Sequence, residues 1–212
     1  MSASFDLVTI VASVGGLQAM EKILAGLPAD FPLPIAFVQH RVTDKPEMLA
    51  KVLARHTTLK VKLAEEGETL RPGTLYVALP TLHLQVDPDR TLHHVDGVRV
   101  RHVLSSGDRL FESAAQALGR RVIGVVLSGY DKDGAAGARA IHGAGGFMIA
   151  QDAVTSPAPG MPLAAVETGC VDAVLPVEFI APALVALAAG TYARNRTRAA
   201  NDEASRSSSN GN

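Results

Sequence analysis

Three short stretches of this chain carry side chains suited to nucleophilic chemistry. In "IVASVGGLQAM" (residues 10–20), a buried-looking run stops at Ser13, and Gly15 and Gly16 follow at once. In "PIAFVQH" (residues 34–40), a second apolar run stops at His40. In "VIGVVLSGYDKDG" (residues 122–134), a third run gives way to Tyr130-Asp131-Lys132-Asp133-Gly134. A hydroxyl, an imidazole and a carboxylate are the parts of an activated nucleophile. The serine attacks, the imidazole takes its proton, and the carboxylate fixes the tautomer and stabilises the imidazolium. Either Asp131 or Asp133 can supply the carboxylate by this reading.

These parts work only if the elements before them end on one rim. Residues 5–12 (FDLVTIVA), 34–39 and 122–128 read as buried strands. Leu17, Met20, Leu24 and Leu27 recur at helical spacing after Ser13. Further helices are expected from Glu47 to about His56, over 107–118 (GDRLFESAAQAL), over a short Ala-rich piece after Gly134, at MPLAAVETG and over 178–193. FMIAQ and VDAVLP read as strands. Residues 57–100 break into short β-rich pieces punctuated by Gly67, Pro72-Gly73, Pro88-Asp89 and Gly97, which predicts strands and hairpins.

Strands alternating with helices imply an α/β fold with a mainly parallel sheet covered on both faces. Ligands of such sheets sit at the carboxyl edge, near the point where strand order reverses. There a sharp strand-to-helix turn exposes a serine Oγ, glycines tolerate the close approach, and the helix N-terminus offers free N–H groups to an oxyanion. Each feature has a plainer reading when taken singly. Ser13 fits a helix N-cap, His40 a satisfied rim residue, and the Asp-Gly stretch a turn. Their shared position at strand ends favours a site.

Composition excludes several other classes. The chain has 212 residues, 47% hydrophobic and 19% charged, with formal net charge −1. That describes one globular domain with no basic excess to draw it to nucleic acid or an anionic membrane. No apolar run approaches a membrane helix, no signal peptide is expected, and the single cysteine, Cys170, suits a reducing cytoplasm. GxGxxG and GxxxxGK[ST] are missing, so no nucleotide cofactor is expected. HExxH and CxxC are missing too, and adjacent His93 and His94 point to opposite faces of a strand, so no metal is expected. From Arg194 the residues turn polar. The folded unit is expected to span 1–193, with 194–212 a disordered tail.

The motifs, taken in order, resemble the catalytic domain of the CheB family of chemotaxis-receptor protein-glutamate methylesterases. The family's "GASTGG"-like turn is "VASVGG" here, its "QH" is Gln39-His40, and its "LTGMGNDGAAG" is "LSGYDKDGAAG". Glu66-Gly67-Glu68 through "LRPGTLYVALPTLHL" and Gly160-Met161-Pro162 match as well, so the resemblance covers roughly residues 6–190. It implies a doubly wound parallel sheet with an antiparallel hairpin insert. It also implies a Ser13–His40–Asp133 triad and oxyanion donors at the Val14 and Tyr130 backbone N–H groups. The implied reaction is hydrolysis of glutamyl methyl esters on the cytoplasmic helices of chemoreceptors, releasing methanol, with deamidation of glutamine as a second activity. A non-catalytic receptor-binding module and an ester or amide hydrolase outside chemotaxis are the alternatives. The chain departs from the pattern in Val11 for glycine, in Val14 for threonine, and in "HVLSSGD" (102–108) for "HRPSVD". Many members carry a phosphorylatable receiver domain ahead of this one. With only a few residues before the first strand, no such domain is expected here, and any control is expected to come from a separate regulatory protein or from receptor conformation.

Overall fold

The computed structural model describes residues 5–40, 45, 47–96 and 105–192. The polar tail expected from 194, and the start of the 102–108 stretch, lie outside the described residues.

In chain order the elements are β1 (Leu7–Ala12), α1 (Gly16–Gly26), β2 (Ile35–Gln39), α2 (Glu47–Leu53), β3 (Lys60–Leu63), β4 (Glu68–Thr69), β5 (Thr74–Val77), β6 (His83–Val86), β7 (Thr91–Val95), α3 (Gly107–Leu118), β8 (Val122–Val126), α4 (Ala135–Gly143), β9 (Phe147–Gln151), α5 (Gly160–Val166), β10 (Ala173–Leu175) and α6 (Val177–Ala188). A seven-stranded sheet runs β10-β9-β8-β1-β2-β5-β3, and a three-stranded sheet runs β4-β7-β6. Every pairing in the first is parallel, and both pairings in the second are antiparallel.

The main sheet is buried on both faces, which is why β1 (LVTIVA) and β8 (VIGVV) are buried at every position. Alternate residues of β1 feed two cores. Val8, Ile10 and Ala12 pack with α1, α2 and α6, and Leu7 and Val11 pack with α3, α4, α5 and the small sheet. The chain builds outward from β1 through β2, then returns to lay β8 on the other side of β1. The order therefore reverses at β1, the strand that ends in Ser13.

The hairpin reading of residues 57–100 is half right. β4, β6 and β7 form the antiparallel insert, and β3 and β5 instead extend the parallel sheet beyond β2. All four residues of β5 (TLYV) are buried, as a strand enclosed between two neighbours requires.

Candidate active site

The turn after β1 is held from both sides. Val11 and Ala12 lie opposite Val38 and Gln39 in the β1–β2 register, and His40 N–H donates to Ala12 C=O at 2.9 Å, so Ser13 and His40 leave adjacent strands at the same level. The Gln39 amide donates to Ser13 C=O at 2.7 Å. From the opposite strand, Ser13 N–H donates to Ser128 C=O at 2.9 Å, and Ser128 Oγ donates to Val14 C=O at 2.7 Å.

The N-cap of α1 is Gly15, at φ 81°, and no side chain caps the helix. Ser13 is thus not a capping residue, and its hydroxyl is not spent on the helix. Gly15 is required on two counts. Its φ is left-handed, and a Cβ there would lie 2.8 Å from Ser128 Oγ and 2.9 Å from Pro157 Cγ. Ser13 Oγ has no hydrogen bond to any described residue, His40 included, and neither Val14 N–H nor Tyr130 N–H is engaged among the described residues. Free donors beside a free hydroxyl are what an oxyanion site needs.

His40 and Asp133 are joined directly. His40 Nε2 donates to Asp133 Oδ2 at 2.6 Å, with side-chain exposures of 6% and 0%. Asp131, the other carboxylate of this loop, bonds the N–H of its neighbour Lys132 instead, at 2.5 Å. Asp133 Oδ1 accepts from Ser106 Oγ and Asp108 N–H, each at 2.9 Å, and Oδ2 accepts from Gly107 N–H at 2.5 Å. Burial pushes the Asp133 pKa up. The hydrogen bond and charge of His40 and the Asp108 and Gly107 N–H groups outweigh that, and hold the carboxyl well below the usual carboxylate range.

Sequence reasoning singled out Ser13, His40 and Asp133 but missed their supports: Gln39, Ser128, Ser106 and Asp108. Only Ser106 and Asp108 left a signal, as a Ser-Gly-Asp run opening a helix. The departure in 102–108 bears on this support, because Ser106, Gly107 and Asp108 all face Asp133. Val11 does not crowd the serine turn. It is fully buried in the opposite core, and its Cβ would lie 2.6 Å from any Cβ placed at Gly107. Glycine at 107 makes the room that valine at 11 fills.

Among the described residues no group of three or more His, Cys, Asp or Glu is placed to hold a metal ion, and no described helix is long and apolar enough to cross a membrane.

The family model described as CheB methylesterase matches residues 8–184. The chain belongs to the CheB methylesterase family. It is 43% identical over 186 residues to protein-glutamate methylesterase/protein-glutamine glutaminase 1 of Carboxydothermus hydrogenoformans, with 85% of this chain and 55% of that protein covered. It is 41% identical to protein-glutamate methylesterase FrzG of Myxococcus xanthus, over 85% of this chain and 54% of that protein. The chain spans about half the length of both relatives. The crystal structure of the Thermotoga maritima CheB methylesterase catalytic domain superposes with a TM-score of 0.83 at 34% identity, covering 87% of this chain and 99% of that one. The CheB methylesterase fold therefore accounts for both sheets, and the chain corresponds to the catalytic domain.

Proposed function

We propose that the chain is a cytoplasmic serine hydrolase that removes methyl esters from glutamate side chains of chemotaxis receptors. The observation that carries this is the 2.6 Å bond from His40 Nε2 to a buried Asp133, at the same sheet edge as an uncapped Ser13. With Nε2–H committed to the carboxylate, Nδ1 is the nitrogen that serves Ser13. Ser13 Oγ attacks the ester carbonyl carbon as His40 takes its proton. The resulting oxyanion is held by the Val14 and Tyr130 N–H groups. The tetrahedral intermediate collapses, the carbon–oxygen bond to methoxide breaks, and His40 returns the proton so that methanol leaves. Water then attacks the acyl-serine with His40 as base, which releases the glutamate carboxylate and regenerates Ser13.

The same cycle with a primary amide releases ammonia, and the Carboxydothermus relative is named a protein-glutamine glutaminase as well as a methylesterase. Release of methanol from methylated receptor membranes, compared between wild type and Ser13→Ala, tests the reading. Equal release by both would refute it. A second assay of ammonia release from unmethylated receptor separates the amide activity.

A further inference from the structure

Resting on the reading of Ser13, His40 and Asp133 as a triad, we propose that Asp108 is a positioning residue that aims Asp133 at His40 by exchanging helix N-termini with it. Asp133 takes the Gly107 and Asp108 N–H groups, the first turn of α3, at 2.5 and 2.9 Å. In return, Asp108 Oδ1 takes the Gly134 and Gly137 N–H groups at the start of α4, both at 2.8 Å. Each aspartate thus sits at the start of one helix and holds the start of the other. Gly134 is bonded covalently to Asp133, so Asp108 grips the backbone immediately beside the triad carboxylate.

Two buried carboxylates this close repel, and they persist because each faces a helix N-terminus with its partial positive charge and unpaired donors. Asp108 is 4% exposed and Asp133 0%. The path between Asp133 and α4 also has little freedom. Gly134 sits at φ 95°, and a Cβ there would lie 3.0 Å from Val11 Cγ1 and 3.1 Å from Val126 Cγ2. A left-handed glycine pinned by its own N–H gives the Asp133 side chain a fixed base. Asp133 is thus fixed from both ends, its carboxylate by the start of α3 and its backbone neighbour by Asp108.

Removing the Asp108 oxygen frees the Gly134 and Gly137 N–H groups. Asp133 then loses its fixed approach to His40, and turnover falls without loss of substrate affinity, since buried Asp108 does not touch substrate. The test uses Asp108→Asn and Asp108→Ala in the full chain, with three readouts: kcat and KM for methanol release, the rate of labelling by a fluorophosphonate, and the strongly downfield imidazole N–H proton resonance of the His40–Asp133 bond. Asp108→Ala is expected to lower kcat about 10- to 100-fold with KM nearly unchanged. Asp108→Asn keeps a weaker, uncharged acceptor, and is expected to lower kcat about 3- to 10-fold. Labelling should slow in the same order, and the downfield resonance should move upfield in that order. Leu187→Ala, in the core on the opposite face of the sheet, supplies a destabilised control whose resonance and kcat stay at wild-type values.

Should Asp108→Ala fail to fold, Asp108→Asn decides alone. Wild-type kcat and an unmoved resonance in a folded Asp108 variant would overturn the proposal, as would an equal resonance shift in Leu187→Ala. Failure of the esterase reading looks different. Methanol release would then be missing from wild type, while the resonance, which needs no substrate, would still report whether Asp108 positions Asp133.

Discussion

His40 presents Nε2, not Nδ1, to Asp133, across 2.6 Å between a nearly buried ring and a fully buried carboxylate. An ionised carboxylate only accepts hydrogen bonds, so a proton is fixed on Nε2, and Nδ1 is the nitrogen that carries the lone pair in a neutral ring. On the proposed reading, which nitrogen is the base is therefore set by the loop after β8, two strands from the one that carries His40.

Ser13→Ala and His40→Ala are expected to be about equally inactive, because triad members act as a unit. Each should lose on the order of 10⁴ to 10⁶ in turnover of a methylated receptor. Either variant retaining a tenth of wild-type methanol release would remove that residue from the triad.

The two aspartates of the loop should separate sharply. Asp133→Asn places an NH₂ group against the N–H of either Gly107 or Asp108, according to which oxygen it replaces, costing about 1–3 kcal/mol of stability and most of the activity. Asp131→Asn keeps an oxygen for Lys132 N–H and should change turnover less than about twofold. Thermal denaturation and methanol release on the two variants check both statements, and the reverse ranking would mean that Asp131 is the third member.

Acid should act through Asp133 in one direction. Its folded pKa lies below its unfolded value of about 3.9, so its contribution to stability is fully present above about pH 4 and is lost as pH falls through the folded pKa. The urea midpoint of wild type should exceed that of Asp133→Asn at pH 6, and the gap should close as the medium is taken below pH 4. A gap that stays constant to pH 3 would show that the charge of Asp133 contributes nothing to folding.

Val11→Gly, which restores the glycine of the family pattern, should harm this chain. Val11 is fully buried and fills the space beside Gly107, so the change leaves a cavity and adds backbone freedom, for about 2–4 kcal/mol of destabilisation. Turnover at low temperature should not rise. A more active or more stable Val11→Gly would mean that the valine does crowd the serine turn.

Gly15→Ala should be worse than either effect alone would suggest, since the left-handed φ and the contacts with Ser128 Oγ and Pro157 Cγ oppose it together. The expected result is loss of fluorophosphonate labelling with the fold retained by circular dichroism.

What the sequence disclosed followed from local pattern. Ser13 and His40 each end an apolar run, and strand-end chemistry is visible one residue at a time. The resemblance chose Asp133 over Asp131, and the structure joins Asp133 to His40 through a bond that no local pattern contains. β5 illustrates the limit. A four-residue apolar run reads the same in a hairpin as between two parallel strands, and only its neighbours decide. What Gln39, Ser128, Ser106 and Asp108 support was hidden for a different reason. Gln39, Ser128 and Asp108 bond backbone groups, which have no letter in a sequence, Ser106 bonds the Asp133 carboxylate, and all of these partners lie more than 20 residues away.

The strand order also sets a timetable for synthesis. Ser13 and His40 become neighbours once β1 and β2 have paired, within the first 40 residues made. Asp133 reaches His40 across 93 residues of chain, after β8 has docked on the far side of β1 and α3 has formed to receive the carboxylate. A nascent chain shorter than that holds Ser13 and His40 with no Asp133 to bond the ring. On the proposed reading, hydrolytic power therefore comes only late in synthesis, when most of the sheet has been made.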